Sequence, residues 1–351
     1  MVDIAGTVSK GWMADAIEVA FDRDYYFHPR QRQAIDSRCN AYLSEHLADL
    51  NLLFTESNLG QRRHYEPKQV LIGGIQPNMI IGMLLGADFV PNARMDADIS
   101  PIPLAGIEPK ELPPPELLLE HELIHLFEDQ FHAIDADSSG DLIPIPPFFW
   151  DGSGRATIHG ALTTAQKLFG DSIFLDLMTS PRRGAAILDW ATDVSMALVD
   201  HFARTAGRDI AEVHVGECSA CMVNAELFDR FVVPTLSRIG RELGPVRLHS
   251  CGTSDHLLKT CRRIENLGSL DVGGGTSVAA IRELLGRDLP IDIAPLVDDL
   301  LKPTLDSLLA WAENVLKHNA DGPLTIGCHV ETGYNLGHLR AMRERAGASS
   351  R

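Results

Sequence analysis

The chain lacks any stretch of about 18 consecutive apolar residues, the length needed to span a bilayer as a helix. Its first residues, Met1-Val2-Asp3-Ile4-Ala5-Gly6, also lack the basic and apolar pattern of a secretory signal. A cytoplasmic protein without a membrane partner is therefore expected. Cysteine is sparse, six in 351 residues, too few for a disulfide scaffold in a chain of this length; such cysteines suit metal or thiol chemistry in a reducing compartment. Positive charge is in deficit: Lys and Arg number 31 against 48 Asp and Glu, a formal net charge of −17. Nucleic acid is thus excluded as an expected partner, because phosphate recognition needs a basic face. No internal repeat or low-complexity tract stands out. With 45% hydrophobic residues, the chain has ample material for a large soluble core, as one barrel-sized domain or two smaller ones.

Short apolar runs alternate with helical patterns, punctuated by Gly, Pro and Asp, as in parallel α/β proteins. Expected strands are 69–73, 141–144, 157–159, 210–215, 246–249, 269–272, 289–293 and 324–327. Long helices are expected over 181–206, 226–243, 278–286 and 302–318. In the first of these, Ile187, Trp190, Ala191, Val194, Leu198 and Phe202 recur at three- and four-residue spacing. Eight strands suit a closed (β/α)8 barrel, although an open doubly wound sheet would give a similar pattern. Residues 1–65 read as a helical N-terminal extension, 66–346 as the barrel and 347–351 as a tail.

The densest chemistry lies in Leu248-His249-Ser250-Cys251-Gly252 and, 77 residues beyond Cys251, in Ile326-Gly327-Cys328-His329. Residues two apart in extended chain point the same way, so His249 and Cys251 can face one ion, with Cys328 as a distant third ligand. Three nitrogen and sulfur ligands leave a zinc coordination position open for chemistry; the alternative is unrelated core cysteines. Cys218-x-x-Cys221 is an alternative ligand source, a redox pair, or a pair of small pocket-lining residues.

Other motifs point elsewhere. His121-Glu122-Leu123-Ile124-His125 satisfies the His-Glu-x-x-His pattern of zinc peptidases, but it does not continue into a Gly and a third His, and no partner Glu helix follows. It also fits an exterior helix over 116–131. Asp135-Ala136-Asp137-Ser138-Ser139-Gly140-Asp141 imitates a calcium loop, yet Pro146 stands where the bidentate Glu belongs, leaving a solvated turn. Trp150-Asp151-Gly152-Ser153-Gly154 lacks the Lys of a phosphate loop and reads as a mobile loop over a pocket.

Several stretches, in order, carry a family resemblance. They are Gly160-Ala161-Leu162-Thr163-Thr164-Ala165 through Gly170; Glu217-Cys218-Ser219-Ala220 followed by Phe228-Asp229-Arg230-Phe231-Val232-Val233-Pro234; His249-x-Cys251-Gly252; and Cys328 with Asn335-Leu336 through Leu339-Arg340-Ala341-Met342. From about 70 to 346 the chain resembles the uroporphyrinogen decarboxylase superfamily, and within it the zinc-dependent methylcobamide:thiol methyltransferases of the coenzyme M type. The resemblance implies a TIM barrel with zinc on His249, Cys251 and Cys328, a small thiol as methyl acceptor, and a methylated corrinoid as co-substrate. No corrinoid-ligating Asp-x-His-x-x-Gly motif is present, so a partner protein would carry the corrinoid.

Active sites of such barrels form at the C-terminal strand ends, where Glu217, His249, Cys251, Asp271 and Cys328 all fall. Glu217 and Asp271 are the candidate catalytic carboxylates. Glu217 either holds the open zinc position or supports His249. Asp271 precedes Gly273, Gly274 and Gly275, where absent side chains let a ligand approach the backbone, unless the segment is simply a flexible turn; Gly273 and Gly274 are the candidate cofactor contacts. Two other readings stay open. A decarboxylase would need an Arg-Gln-Ala-Gly-Arg-like segment to grip carboxylates, for which His28 to Asp36 is the nearest and unmatched text. A metal- or corrinoid-storage protein would use the same ligands without turnover.

Overall fold

The computed structural model describes residues 2–54, 66–102, 104, 106–137 and 139–349, with side chains to residue 346. Its strands are β1 (Val2–Val8), β2 (Leu52–Leu53), β3 (Gln69–Leu71), β4 (Phe89–Val90), β5 (Asp98–Ile99), β6 (Ile143–Ile145), β7 (Arg155–His159), β8 (Glu212–Gly216), β9 (Val246–Ser250), β10 (Leu267–Gly273), β11 (Ile291–Ala294) and β12 (Leu324–Val330). Eight of these form one sheet in the order β2-β1-β12-β11-β10-β9-β8-β7, parallel throughout. The sheet curls into a TIM-barrel-like α/β fold. A parallel β3–β6 pair and an antiparallel β4–β5 pair stand apart from it.

Two strands of the sheet lie where a helical extension was expected. Residues 1–65 do hold the helices Lys10–Ile17, Arg23–Phe27 and Pro29–His46, but they begin with β1, which pairs residue for residue with β12 and also with β2. Conversely, two expected strands, 69–73 and 141–144, supply the separate β3–β6 pair. Past β6, Phe148 and Trp150 bond to β7, where Thr157 N donates to Phe148 O and Trp150 N to Arg155 O.

The strands alternate cleanly. Val213, Val215, Val246, Leu248, Leu270, Val272, Ile291, Ile293, Leu324 and Ile326 are buried in the apolar core. The intervening residues, among them His214, Arg247, His249, Asp271 and Asp292, lie in register on the other face. Branched apolar residues normally fill a TIM-barrel interior; here it is polar over these strands. The expected 181–206 helix runs Pro181–Thr205 and buries Ile187, Trp190, Ala191, Val194, Leu198 and Phe202. The expected 226–243 helix is broken into Ala225–Leu227, a π turn over Phe228–Val232 and Val233–Glu242. Pro234 explains the wide turn, since it has no N–H to donate to the preceding turn. No helix among the described residues is long and apolar enough to cross a membrane.

Removing residues 2–8 should dismantle the sheet, because β1 bridges β12 and β2. At about 1 kcal/mol per lost ladder hydrogen bond, the deletion removes a large part of a typical 5–15 kcal/mol stability. Thermal unfolding followed by circular dichroism should show loss of the cooperative transition. A deletion variant that melts with the parent would show that β1 is dispensable.

Candidate functional site

A cavity of about 740 Å³ opens at the C-terminal strand ends. Thr7, His159, Gly216, His249, Gly273, Ala294 and His329 line it from β1, β7, β8, β9, β10, β11 and β12. Phe54, Ile72, Phe148, Phe149 and Trp150 give it an apolar wall.

On one side, Cys218, His249 and Cys251 bring ligand atoms within 4.8 Å of one another. His249 ends the inward-facing row of β9, and Cys251 follows two residues later. Cys218 comes from the neighbouring strand, on the 3-10 turn Cys218–Met222 that follows β8. The Cys218 thiol and the His249 imidazole hold the Cys251 thiol well below its usual range. Cys218 itself is pushed up, first by its bond to Cys251 and then by burial.

Cys328 does not join this group. It shares the alternation of Leu324, Ile326 and Val330, which pack in the core, whereas its neighbour His329 faces the cavity and lies 2.7 Å from Thr7 Oγ1. Burial pushes its thiol up to about 12. The geometric group thus differs from the expected triad in one member: Cys218 stands beside His249 and Cys251 where Cys328 was expected. The clue was parity: Cys328 is an even number of residues from three apolar positions of its strand. Cys221 lies beside the group, and a Cβ on Gly252 would come 2.8 Å from its Sγ.

Asp271 stands directly behind His249, its Oδ2 2.8 Å from His249 Nδ1 and 2.9 Å from Arg247 Nη1. Although burial opposes it, Arg247 and His249 keep the Asp271 carboxyl far below the ordinary range. Burial would likewise depress His249, but Asp271 and Cys251 raise it to about 9. Arg247 is itself buried and reaches Asp292 through Nη2 at 2.6 Å and Nε at 3.1 Å, and His214 Nδ1 through Nη1 at 2.6 Å. These last two residues were not singled out from the sequence, although Arg247 sits two positions before His249 on the same strand face.

The Glu217 side chain is engaged by a helix end. Its carboxylate accepts bonds from Thr163 N and Thr163 Oγ1, both at 2.8 Å, and from Leu162 N at 3.3 Å. Those amides are the open first turn of the helix Ala161–Phe169, whose cap residue Gly160 has no side chain to offer. A Cβ on Gly160 would collide with Glu217 Oε2, which explains that glycine. Burial raises Glu217 to about 7 against the pull of these donors. Gly273 and Gly274 do line the cavity, but neighbouring backbone already demands glycine there: a Cβ would strike Cys251 O at the first and come 2.6 Å from Ala294 O at the second.

The competing motifs fall away on geometry. His121 is the cap of the helix Glu122–Asp135, and its Nδ1 accepts from Leu123 N, so His121 and His125 do not form a helical ligand pair. In the calcium-like stretch Ser138 lies outside the described residues, while Asp137 pairs with Arg30 and bonds to Ser139 N. The Trp150–Gly154 turn is pinned, because buried Asp151 pairs with Arg155 and accepts from Ser153 N. Of the segment relevant to a decarboxylase, Arg30 is at the surface and Arg32 is buried against Gly74 O; neither lines the cavity.

No protein-family model matches the chain, and no curated protein sequence does. Among solved structures, a methyltransferase from Methanosarcina mazei matches over 100% of this chain and 96% of its own, with TM-score 0.64 and 14% identity. A B12-independent methionine synthase from Shewanella sp. W3-18-1, in complex with selenomethionine, matches over 98% and 97% with TM-score 0.44 and 10% identity. At this identity the first likeness establishes the fold. It agrees with the curled parallel sheet described above.

Glu217→Ala should destabilise the protein by about 1–3 kcal/mol, because it strands buried amides of Leu162 and Thr163. Glu217→Gln keeps an acceptor and should cost far less. Urea unfolding of the two variants measures the difference, and equal loss in both would show that the charge, not the cap, is what matters.

Proposed function

We propose that the protein is a zinc-dependent methyltransferase that moves a methyl group between a methylcobamide, carried by a partner protein, and a small thiol. The observation that carries this reading is the convergence of Cys218, His249 and Cys251 on one side of a large cavity, with Asp271 fixed behind the histidine. Two sulfurs and an imidazole suit zinc, and three protein ligands leave a position for an exogenous group. The sequence resemblance to the methylcobamide:thiol methyltransferases points the same way, and the shared fold is compatible with it.

When bound, zinc keeps a thiol attached to it in the thiolate form at neutral pH. The chain's own residues do the rest. Asp271 stands 2.8 Å from His249 Nδ1 as its ion-pair partner and holds the ring beside Cys251. Cys218 and Cys251 would hold the dication as thiolates and cancel its charge, which would leave an exogenous sulfur nucleophilic. Phe148, Phe149 and Trp150 exclude water from the adjoining wall. The cavity has the volume of a site for a drug-sized molecule, so a corrinoid macrocycle would be presented at its mouth. Leu296, Val297 and Leu301 form an exposed apolar rim near that mouth, of which Leu296 and Val297 line the cavity.

Purified protein should carry about one zinc per chain. Elemental analysis should show strong loss in Cys218→Ser, Cys251→Ser and His249→Ala, and full occupancy in Cys328→Ser. Full occupancy in Cys218→Ser, or loss in Cys328→Ser, overturns the ligand set. Zinc-loaded protein should transfer methyl from methylcobalamin to at least one of a panel of small thiols. Zinc without turnover selects a storage role, and porphyrinogen turnover without zinc selects the decarboxylase.

A further inference from the structure

We infer that His214 is a specificity-determining residue: its Nε2–H donates a hydrogen bond to an oxygen acceptor that the substrate thiol carries a few bonds from its sulfur. This deepens the methyl-transfer reading and rests on it.

The first observation is a locked tautomer. Arg247 Nη1 lies 2.6 Å from His214 Nδ1, and a guanidinium can only donate. His214 Nδ1 must therefore accept, which leaves the ring proton on Nε2. Arg247 is held in turn by Asp271 and Asp292, so this arrangement has no freedom to invert. The indole of Trp150 packs on the His214 ring at 4.3 Å between centroids and fixes its plane.

The second observation is a gap opposite that proton. In the sheet register Gly216 lies between His159 on β7 and His249 on β9. The three atoms nearest to a Cβ placed on Gly216 would be His159 Cδ2 at 3.6 Å, Ile158 O at 3.7 Å and His214 Nε2 at 3.9 Å. Those are ordinary contact distances, so the glycine leaves usable space with His214 Nε2 at its edge. His159, Gly216, His214 and His249 all line the cavity. His214 Nε2 has no protein partner among the described residues. An N–H aimed into a cavity beside a metal-type ligand cluster, and backed by a buried guanidinium, is suited to an oxygen carrying negative charge.

Geometry also sets the reach. Gly216 and His249 are direct neighbours on adjacent strands, about 4.8 Å apart. A sulfur at the Cys218, His249 and Cys251 cluster and an oxygen at the Gly216 gap are then separated by about one strand spacing, which a chain of a few bonds covers. A short mercapto acid fits, whereas an alkane thiol leaves the His214 donor unsatisfied.

Calorimetric titration of zinc-loaded protein with 3-mercaptopropionate and with 1-propanethiol tests this. The wild type should prefer the acid by about tenfold, the worth of one good hydrogen bond. His214→Phe, which keeps a ring against Trp150 but cannot donate, should reduce the preference to near unity, while His214→Gln, which can donate, should retain part of it. Nitrogen-15 spectra of the wild-type imidazoles should show His214 protonated on Nε2 and bare on Nδ1, a measurement that needs no variant to fold. A preference unchanged in His214→Phe, or a proton found on Nδ1, overturns the assignment. Equal binding of the two thiols to the wild type overturns it while leaving methyl transfer to sulfur intact. If neither thiol binds the zinc-loaded wild type, the methyl-transfer reading falls and takes this inference with it.

Discussion

The buried guanidinium of Arg247 organises the interior of this barrel. It is out of reach of water and is shared among Asp271, Asp292 and His214, on β10, β11 and β8. Burying a charge costs several kcal/mol unless it is paired with good geometry, and removing one partner would leave the others uncompensated. The network is therefore better understood as a device for fixing positions than as a source of stability. Through Asp271 it orients His249; through its own Nη1 it sets the tautomer of His214. Two imidazoles of the cavity take their orientation from one guanidinium.

That constraint explains the shape of the interior. A barrel filled by layers of Val, Ile and Leu would leave no room for the network or for the cavity above it. Here most apolar residues of β8 to β12 sit on one strand face, in the core, and the other face carries charge, imidazole, glycine and the small Ala294. Gly216 opens space where a side chain from β8 would project between His159 and His249. Gly160 makes room for the Glu217 carboxylate, and the carboxylate replaces the cap that Gly160 cannot supply. Each glycine is explained by what stands next to it.

The sequence made the parallel α/β plan legible because apolar runs of strand length alternate with helix-length patterns, and six expected segments do fall on sheet strands. It concealed β1, since Val2-Asp3-Ile4-Ala5-Gly6-Thr7-Val8 stands alone before three helices and its fully paired neighbour, β12, lies more than 300 residues later. It concealed the role of Glu217, whose partners lie 54 and 55 residues away and are mostly backbone amides that no side-chain pattern records. The proximity of His249 and Cys251 was readable because it depends only on local extension. The third cysteine was not, because sequence distance says nothing about which face of a strand a residue occupies. Parity along Leu324-x-Ile326-x-Cys328-x-Val330 did carry that information, and it assigns Cys328 to the apolar face.

The placement of Cys218 follows from the elements that hold it. Glu217 N donates to His249 O at 2.8 Å, which ties the exit of β8 to the end of β9. On the other side the Glu217 carboxylate is fastened to the first turn of the helix Ala161–Phe169, and Ser219 N donates to Thr163 Oγ1 at 3.0 Å. Cys218 thus sits between two anchored residues, one bonded to β9 and both bonded to the helix. Its sulfur is held close to His249 and Cys251 by protein contacts alone. On the metal reading proposed above, a ligand set assembled beforehand would lose little conformational entropy on binding, so more of the intrinsic metal–ligand free energy would appear as affinity. The carboxylate that first reads as a candidate metal ligand acts one residue earlier, by fixing the backbone that presents the thiol.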